Sequence, residues 1–167
     1  FTRNGHDWTK KLPKQAATLA RLKLADSWLD GELVALNEAG LPDFQLLQNA
    51  FDIGRSFDLV YYLFDAPYLN GCDLRHLPLE QRRAALQQAL TTNTDKLIRY
   101  SDTFDTDYRN IYASACAMSL EGLIAKRAGS PYVSKRSSDW VKLKCLLRQE
   151  FVIVGYTDPK GSRAGFG

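Results

Sequence analysis

Trp140-Val141-Lys142-Leu143-Lys144, read with the upstream stretch Glu121-Gly122-Leu123-Ile124-Ala125-Lys126-Arg127, decides how the rest of the chain is understood. Side chains alternate along a strand, so Trp140, Lys142 and Lys144 share one face while Val141, Leu143 and Cys145 share the other. At a rise of roughly 3.3 Å per residue the two lysine Cα atoms stand about 6.6 Å apart. Two ammonium groups at that spacing repel unless an anion or water separates them, and a phosphate satisfies both. A half-buried strand with two solvated lysines accommodates the same pair, so the surrounding residues have to decide.

The chain has 167 residues, enough for one domain with a real core or for one domain and part of another. Hydrophobic content of 45% and charged content of 25% describe an ordinary globular protein. No run approaches the roughly 18 apolar residues of a membrane span, and the first residues lack the apolar core of a signal peptide, so the expected setting is intracellular. Cys72, Cys116 and Cys145 are widely spaced, with only His6 and His76 as imidazole partners. That pattern argues against a zinc site and against a disulfide framework. A net charge of +3 says little alone. Its distribution says more: Lys126, Arg127, Lys135, Arg136, Lys142, Lys144 and Arg148 face one acid, Asp139, over that span.

Taken in order, Phe1-Thr2-Arg3-Asn4-Gly5 reads as a strand end entering an Asn-Gly turn, and without an initiator Met it suggests a piece of a longer protein. Residues 11–24 read as a short amphipathic helix on Leu12, Ala16, Leu19, Ala20 and Lys23. A strand follows over 28–36, with Leu29, Gly31, Leu33 and Ala35 on one face. Asp30 and Glu32 lie on the other with Trp28, Val34 and Leu36, and a half-buried carboxylate there needs a cation or a donor. Asn37 to Gly40 forms a turn, and Asp43 caps a helix carrying Phe44, Leu47, Gln48 and Phe51. Leu59 to Phe64 is a buried central strand, ended by Asp65-Ala66-Pro67. Pro78 opens a helix with Leu79, Leu86 and Leu90, and Tyr108, Ile111, Tyr112, Ala115 and Met118 stripe another. A strand over 122–127, a polar loop over 128–138, the strand from Trp140 to Leu146 and a further β segment from Glu150 complete the order. The glycines at 161, 165 and 167 do not match a Walker A loop and read as a surface turn.

The ordered set Arg3-Asn4-Gly5, Asp30-Gly31-Glu32, Tyr62-Leu63-Phe64-Asp65, Glu121-Gly122-Leu123-Ile124-Ala125-Lys126 and Trp140-Val141-Lys142-Leu143-Lys144 resembles the covalent nucleotidyltransferase superfamily, and within it the ATP-dependent DNA ligases. Phe1 to Trp8, Glu121 to Arg127 and Gly161 to Gly167 look most like the ligase module of bacterial end-joining ligase D. The resemblance implies an α+β fold: an ATP-grasp-like nucleotidyltransferase domain of antiparallel sheets with flanking helices over 1–149, then the start of an OB-fold β-barrel over 150–167. Both domains are expected to be incomplete. It implies ATP, AMP as a covalent intermediate, Mg²⁺ or Mn²⁺, and nicked or broken duplex DNA. It also implies a bacterial cytoplasmic, nucleoid-associated setting, with a Ku-type end-binding protein and fused polymerase or phosphoesterase domains as partners.

The resemblance carries roles to individual residues. Phe64 matches the aromatic that stacks on adenine. Glu32 matches a carboxylate that reaches the ribose, directly or near metal, and Glu121 matches one assigned to a divalent metal, as Mg²⁺ chemistry permits. Lys142 and Lys144 match the pair that holds the α-phosphate and stabilises charge growing on it; with Glu121 they form the expected catalytic set. Arg3 resembles the residue that engages the 5′-phosphate of a nick, and Arg136, in the basic loop before Trp140, is expected to be a further phosphate contact. Lys126 lies five positions after Glu121, which on a regular strand puts the two on opposite faces, so it stays outside the catalytic set.

One element of the family pattern is missing. The attacking lysine lies in a Lys-x-Asp-Gly motif, and no such motif occurs in these residues. The isolated chain is therefore expected to form no adenylate. An RNA ligase or capping-type nucleotidyltransferase, or a non-catalytic nucleic-acid-binding domain with the same basic groove, are the alternatives that the residues leave open.

Overall fold

The computed structural model describes residues 1–52, 59–104 and 107–145. The expected OB-fold start at 150–167 lies outside them. The N-terminal Asn-Gly turn is present, closed by Gly5 N–H donating to Thr2 O (2.8 Å), and Phe1 and Thr2 are not part of a strand among the described residues.

Helix α1 (Pro13–Arg21) begins at its proline, and the chain leaves the helix where Lys23 takes a positive φ of 52°. Its buried side chains are Gln15 and Thr18, not the expected apolar stripe. Each is buried with a partner: Gln15 Nε2 donates to Leu59 O (2.5 Å), and Thr18 Oγ1 to Asp95 Oδ2 (2.7 Å). Leu19 and Leu22 from the same helix still reach the core.

Strand β1 (Trp28–Val34) pairs antiparallel with β2 (Val60–Leu69). The register shifts between Trp28 and Asp30 and again before Gly31. A bulge of this kind breaks the strict alternation expected for Asp30 and Glu32. Gly31 is required there, since a Cβ would lie 2.5 Å from Tyr62 O. Helix α2 (Phe44–Asp52) is capped by Asp43, whose Oδ1 accepts from Leu46 N–H (2.9 Å). Leu46, Leu47, Ala50 and Phe51 form its packed face, while Phe44 is 72% exposed.

β2 does not stop at Asp65-Ala66-Pro67 but continues to Leu69. Pro67 is tolerated because it falls where the β1 register slips, between the Asp65 and Tyr68 pairings, and its carbonyl still accepts from Leu74 N–H. Strand β3 (Cys72–Asp73) turns back on β2, and helix α3 (Leu79–Ala89) buries Leu79 and Leu86 with Leu90 just beyond it, as the spacing predicts. Strand β4 (Ile98–Tyr100) was not anticipated; it joins β2 in parallel, so one pairing of the mixed α+β fold departs from the antiparallel rule. Leu63, Ala66, Leu86, Leu90 and Ile98 make the main core between this sheet and the helices.

Helix α4 (Tyr108–Ala117) is capped by Asp107 and buries Ala115. It leads into the hairpin of β5 (Gly122–Lys126) and β6 (Trp140–Lys144). No helix of the described residues is long and apolar enough to cross a membrane.

Candidate functional site

The β5–β6 ladder sets the site. Lys144 lies opposite Gly122, Lys142 opposite Ile124 and Trp140 opposite Lys126. Residues directly opposite one another share a face, so the expected face of Trp140, Lys142 and Lys144 also holds Ile124 and Lys126. Glu121 precedes the strand, and Gly122, at φ +145°, interrupts the alternation that would put Lys126 and Glu121 on opposite faces. A Cβ at Gly122 would lie 2.0 Å from Leu143 O, so only glycine lets the strands meet here.

The anion demanded by the lysine pair is in part supplied internally. Lys142 Nζ is ion-paired with Glu121 Oε1 (2.5 Å). Its hydrogen bond and charge, with a smaller contribution from Lys144, hold the Glu121 carboxyl below the usual range. Both side chains are solvent-exposed, so a pair of this kind contributes on the order of 1 kcal/mol or less. On the α4 side, Tyr112 Oη donates to Lys144 O (2.8 Å), and a disulfide joins Cys116 to Cys145. The bridge corrects the expectation of no disulfide; spacing alone did not reveal that α4 folds back onto the end of β6. A concavity of about 430 Å³ lies between Tyr108, Arg109, Tyr112, Lys142, Leu143 and Lys144.

Phe64, half-buried on β2, faces the other end of the lysine strand. Its ring meets Trp140 edge-on, with centroids 5.7 Å apart, and Trp140 in turn meets Tyr132 at 6.4 Å. Tyr132 Oη donates to Asp30 Oδ2 (2.9 Å). Burial pushes the Asp30 carboxyl up, against this hydrogen bond, and pushes the Tyr132 hydroxyl up as well. Lys126 Nζ lies 3.9 Å from the centroids of both Phe64 and Trp140.

Phe64 is held from behind by α3. Arg83 Nη1 donates to Phe64 O (2.8 Å) and Nη2 to Ser101 O (2.6 Å). The next residue, Asp65, makes a two-point ion pair with Arg82, and Arg82 Nη1 also reaches Leu77 O and Ser130 O. Glu80 accepts from Gly129 N–H (2.9 Å). The loop that leads to β6 is thereby tied to the helix that supports Phe64.

Glu32 is exposed on β1 opposite Tyr62, on a different sheet from the one that Glu121 leads into. Arg3 is exposed in the N-terminal turn and Arg136 in the loop before β6. Among the described residues no group of three or more His, Cys, Asp or Glu could hold a metal ion. The sequence assigns no site role to Asp65, Arg82 or Tyr132, it leaves Lys126 outside the site, and it marks Asp30 only as a carboxylate in need of a partner. Arg82 left a signal: it falls three after Leu79 and four before Leu86, on the buried stripe of α3.

Known proteins resemble this chain in sequence and in fold. The ATP dependent DNA ligase domain family matches residues 1–144. The multifunctional non-homologous end joining protein LigD of Pseudomonas aeruginosa is 58% identical over 167 residues, all of this chain and 20% of that protein. The crystal structure of the ligase domain from M. tuberculosis LigD superposes with a TM-score of 0.73 at 32% identity, over 85% of this chain and 46% of the other. A mycobacterial DNA ligase D complexed with ATP and MES gives 0.72 at 31%, over 86% and 46%. The chain thus spans a fifth of the Pseudomonas protein and under half of each mycobacterial chain.

Proposed function

The chain belongs to the ATP-dependent DNA ligase domain family, and from that membership we propose that it forms the nucleotide-binding part of an enzyme that seals DNA through lysyl-AMP and DNA-adenylate intermediates. The observation that carries the reading is the shared face of Lys142 and Lys144, closed at its far end by Phe64 and Trp140. That face offers an aromatic plane for a purine and, along the same strand, fixed positive charge for its phosphate.

In this reading Phe64 stacks on adenine and Ile124, half-exposed on the same face, adds apolar surface. Lys142 and Lys144 orient the α-phosphate and stabilise negative charge as it develops. Glu32 holds the ribose, Arg3 the 5′-phosphate of a nick and Arg136 a further phosphate. Because Glu121 is exposed and held by one lysine, it suits Mg²⁺ or Mn²⁺, which takes one or two carboxylates with phosphate oxygens and water. Such an ion would supply charge neutralisation at the phosphates. The attacking lysine is not among these residues, since no Lys-x-Asp-Gly occurs in them. Their task is to bind, orient and stabilise.

The relatives named for non-homologous end joining support a place in bacterial break repair, with duplex DNA as substrate and the cytoplasm as its setting. A Ku-type partner, fused polymerase or phosphoesterase domains, and an adenylation domain over 1–149 followed by an OB-fold start belong to the same proposal. Incubation of the chain with labelled ATP or GTP, with and without Mg²⁺, tests it. Reversible binding that prefers ATP, with no covalent adduct, is expected. GTP preference favours a capping-type enzyme, and an adenylated species seen by mass spectrometry refutes the assignment of the nucleophile outside these residues.

A further inference from the structure

The bridge between Cys116 and Cys145 lies at the end of the lysine strand, for Cys145 directly follows Lys144 and Cys116 sits in the last turn of α4. Beyond Cys116 the chain turns through Ser119, at a positive φ of 58°, and arrives at Glu121. Glu121 O accepts from Cys145 N–H (2.9 Å), so the end of α4, Glu121 and the end of β6 meet at one point. Two ties run from α4 to this end of β6: the bridge, and Tyr112 Oη donating to Lys144 O (2.8 Å). The bridge is the covalent one, and it can be opened by chemistry.

Its two sulfurs differ in access. Cys145 is only 9% exposed, whereas Cys116 is half-buried. Exchange requires a thiolate to approach the sulfur that it attacks, and Cys116 Sγ is the one within reach. In a cytoplasm thiols are kept reduced, and the bridges found there are mostly transient and redox-sensing. We propose that Cys116 and Cys145 form a redox-modification site for small thiols and disulfides, and that closing the bridge fixes Glu121 and Lys144 in place for a nucleotide. The inference rests on the cytoplasmic setting and the nucleotide site of the preceding section.

The chemistry balances with a small disulfide as oxidant. The Cys116 thiolate attacks one sulfur of that molecule, forms a mixed disulfide and releases the first small thiol. The Cys145 thiolate then attacks Cys116 Sγ and displaces the second. Each departing thiolate takes up the proton that the attacking cysteine gave up, so one disulfide is reduced as one is formed. Opening runs the same steps in reverse.

The test uses the whole chain carrying Cys72→Ser, because that free thiol is exposed. It is equilibrated in buffers of reduced and oxidised glutathione and followed by mass spectrometry, ATP titration and amide hydrogen exchange. A bridge that serves stability alone raises the melting temperature of the oxidised protein and leaves ligand affinity as it was. A redox site coupled to the lysine strand does more. Reduction should weaken ATP affinity about fivefold and speed exchange over residues 140–145. Linkage then requires saturating ATP to raise [GSH]²/[GSSG] at half-reduction by the same factor. Cys145→Ser should accumulate one glutathione on Cys116, while Cys116→Ser takes up little. Should a serine variant not fold, the two redox states of the parent, which share one sequence, decide.

A bridge that no glutathione ratio opens in the folded chain, glutathione settling on Cys145 in place of Cys116, or ATP bound equally by the two redox states overturns the inference. If neither state binds ATP while exchange over 140–145 still follows the glutathione ratio, the nucleotide reading fails and the redox site stands.

Discussion

Asp65 and Arg82 form a two-point ion pair with neither side chain exposed, at 2.8 Å through Nε and 2.9 Å through Nη2. The pair stands directly behind Phe64, and the remaining guanidinium nitrogen carries the link to Ser130 and hence to the loop preceding β6. Complete burial explains why it must be complete: either charge left alone in the interior is expensive.

Arg82→Met therefore strands the Asp65 carboxylate and should destabilise the chain by about 3–5 kcal/mol. The double variant Asp65→Leu/Arg82→Met, which leaves no charge behind, should recover much of that loss. Urea unfolding of the singles and the double, arranged as a double-mutant cycle, checks it. Equal loss in single and double variants would show that the pair matters through shape, not charge.

Gly122→Ala should be among the most damaging small substitutions in the hairpin. The φ of +145° is one L residues rarely adopt, and the added methyl would lie 2.0 Å from Leu143 O. Strain of this type costs on the order of 1–3 kcal/mol, and separating β5 from β6 should also part Glu121 from Lys142. Circular-dichroism melts with ATP titrations should show both losses; a variant with wild-type melting and binding would contradict the close approach of the strands.

The pH dependence of stability carries its own sign. Lys126 is held at about 8 in the folded chain against an ordinary 10.5, so between these values the unfolded chain binds more protons at this site. Its contribution to stability therefore rises with pH across that window, as the cost of burying the ammonium is relieved. The difference in unfolding free energy between wild type and Lys126→Met, followed from pH 7 to about 10.5, should move in favour of wild type as pH rises. A constant difference would mean that the ammonium is solvated.

The alternation of Trp140, Lys142 and Lys144 and the motifs around it made the hairpin, the central strand and α3 legible, because each depends on spacing within a few residues. What escaped notice depends on residues far apart. Tyr132 and Asp30 are 102 positions apart, and Arg82 and Ser130 are 48 apart. Nothing local announced that the Pro67 segment would pass through a bulge, or that Ile98–Tyr100 would pair in parallel with β2. Lys126 departs from the face that its spacing from Glu121 predicts for a more specific reason. Counting from Glu121 assumed one regular strand, whereas Gly122 resets the alternation, and the cross-strand partner Trp140 was the better ruler.

The central claim is that Lys142 and Lys144 hold the phosphate of a nucleotide whose base lies on Phe64. Calorimetric titration of the chain and its Lys142→Ala/Lys144→Ala variant with adenosine, AMP and ATP tests it most directly. Wild type should bind AMP and ATP much more tightly than adenosine, and the variant should lose about a hundredfold or more in affinity for both nucleotides, at roughly 1.5–3 kcal/mol per charge-assisted contact, while adenosine binding stays as it was. Unchanged nucleotide affinity in the variant, or an equal loss for adenosine, would contradict the account.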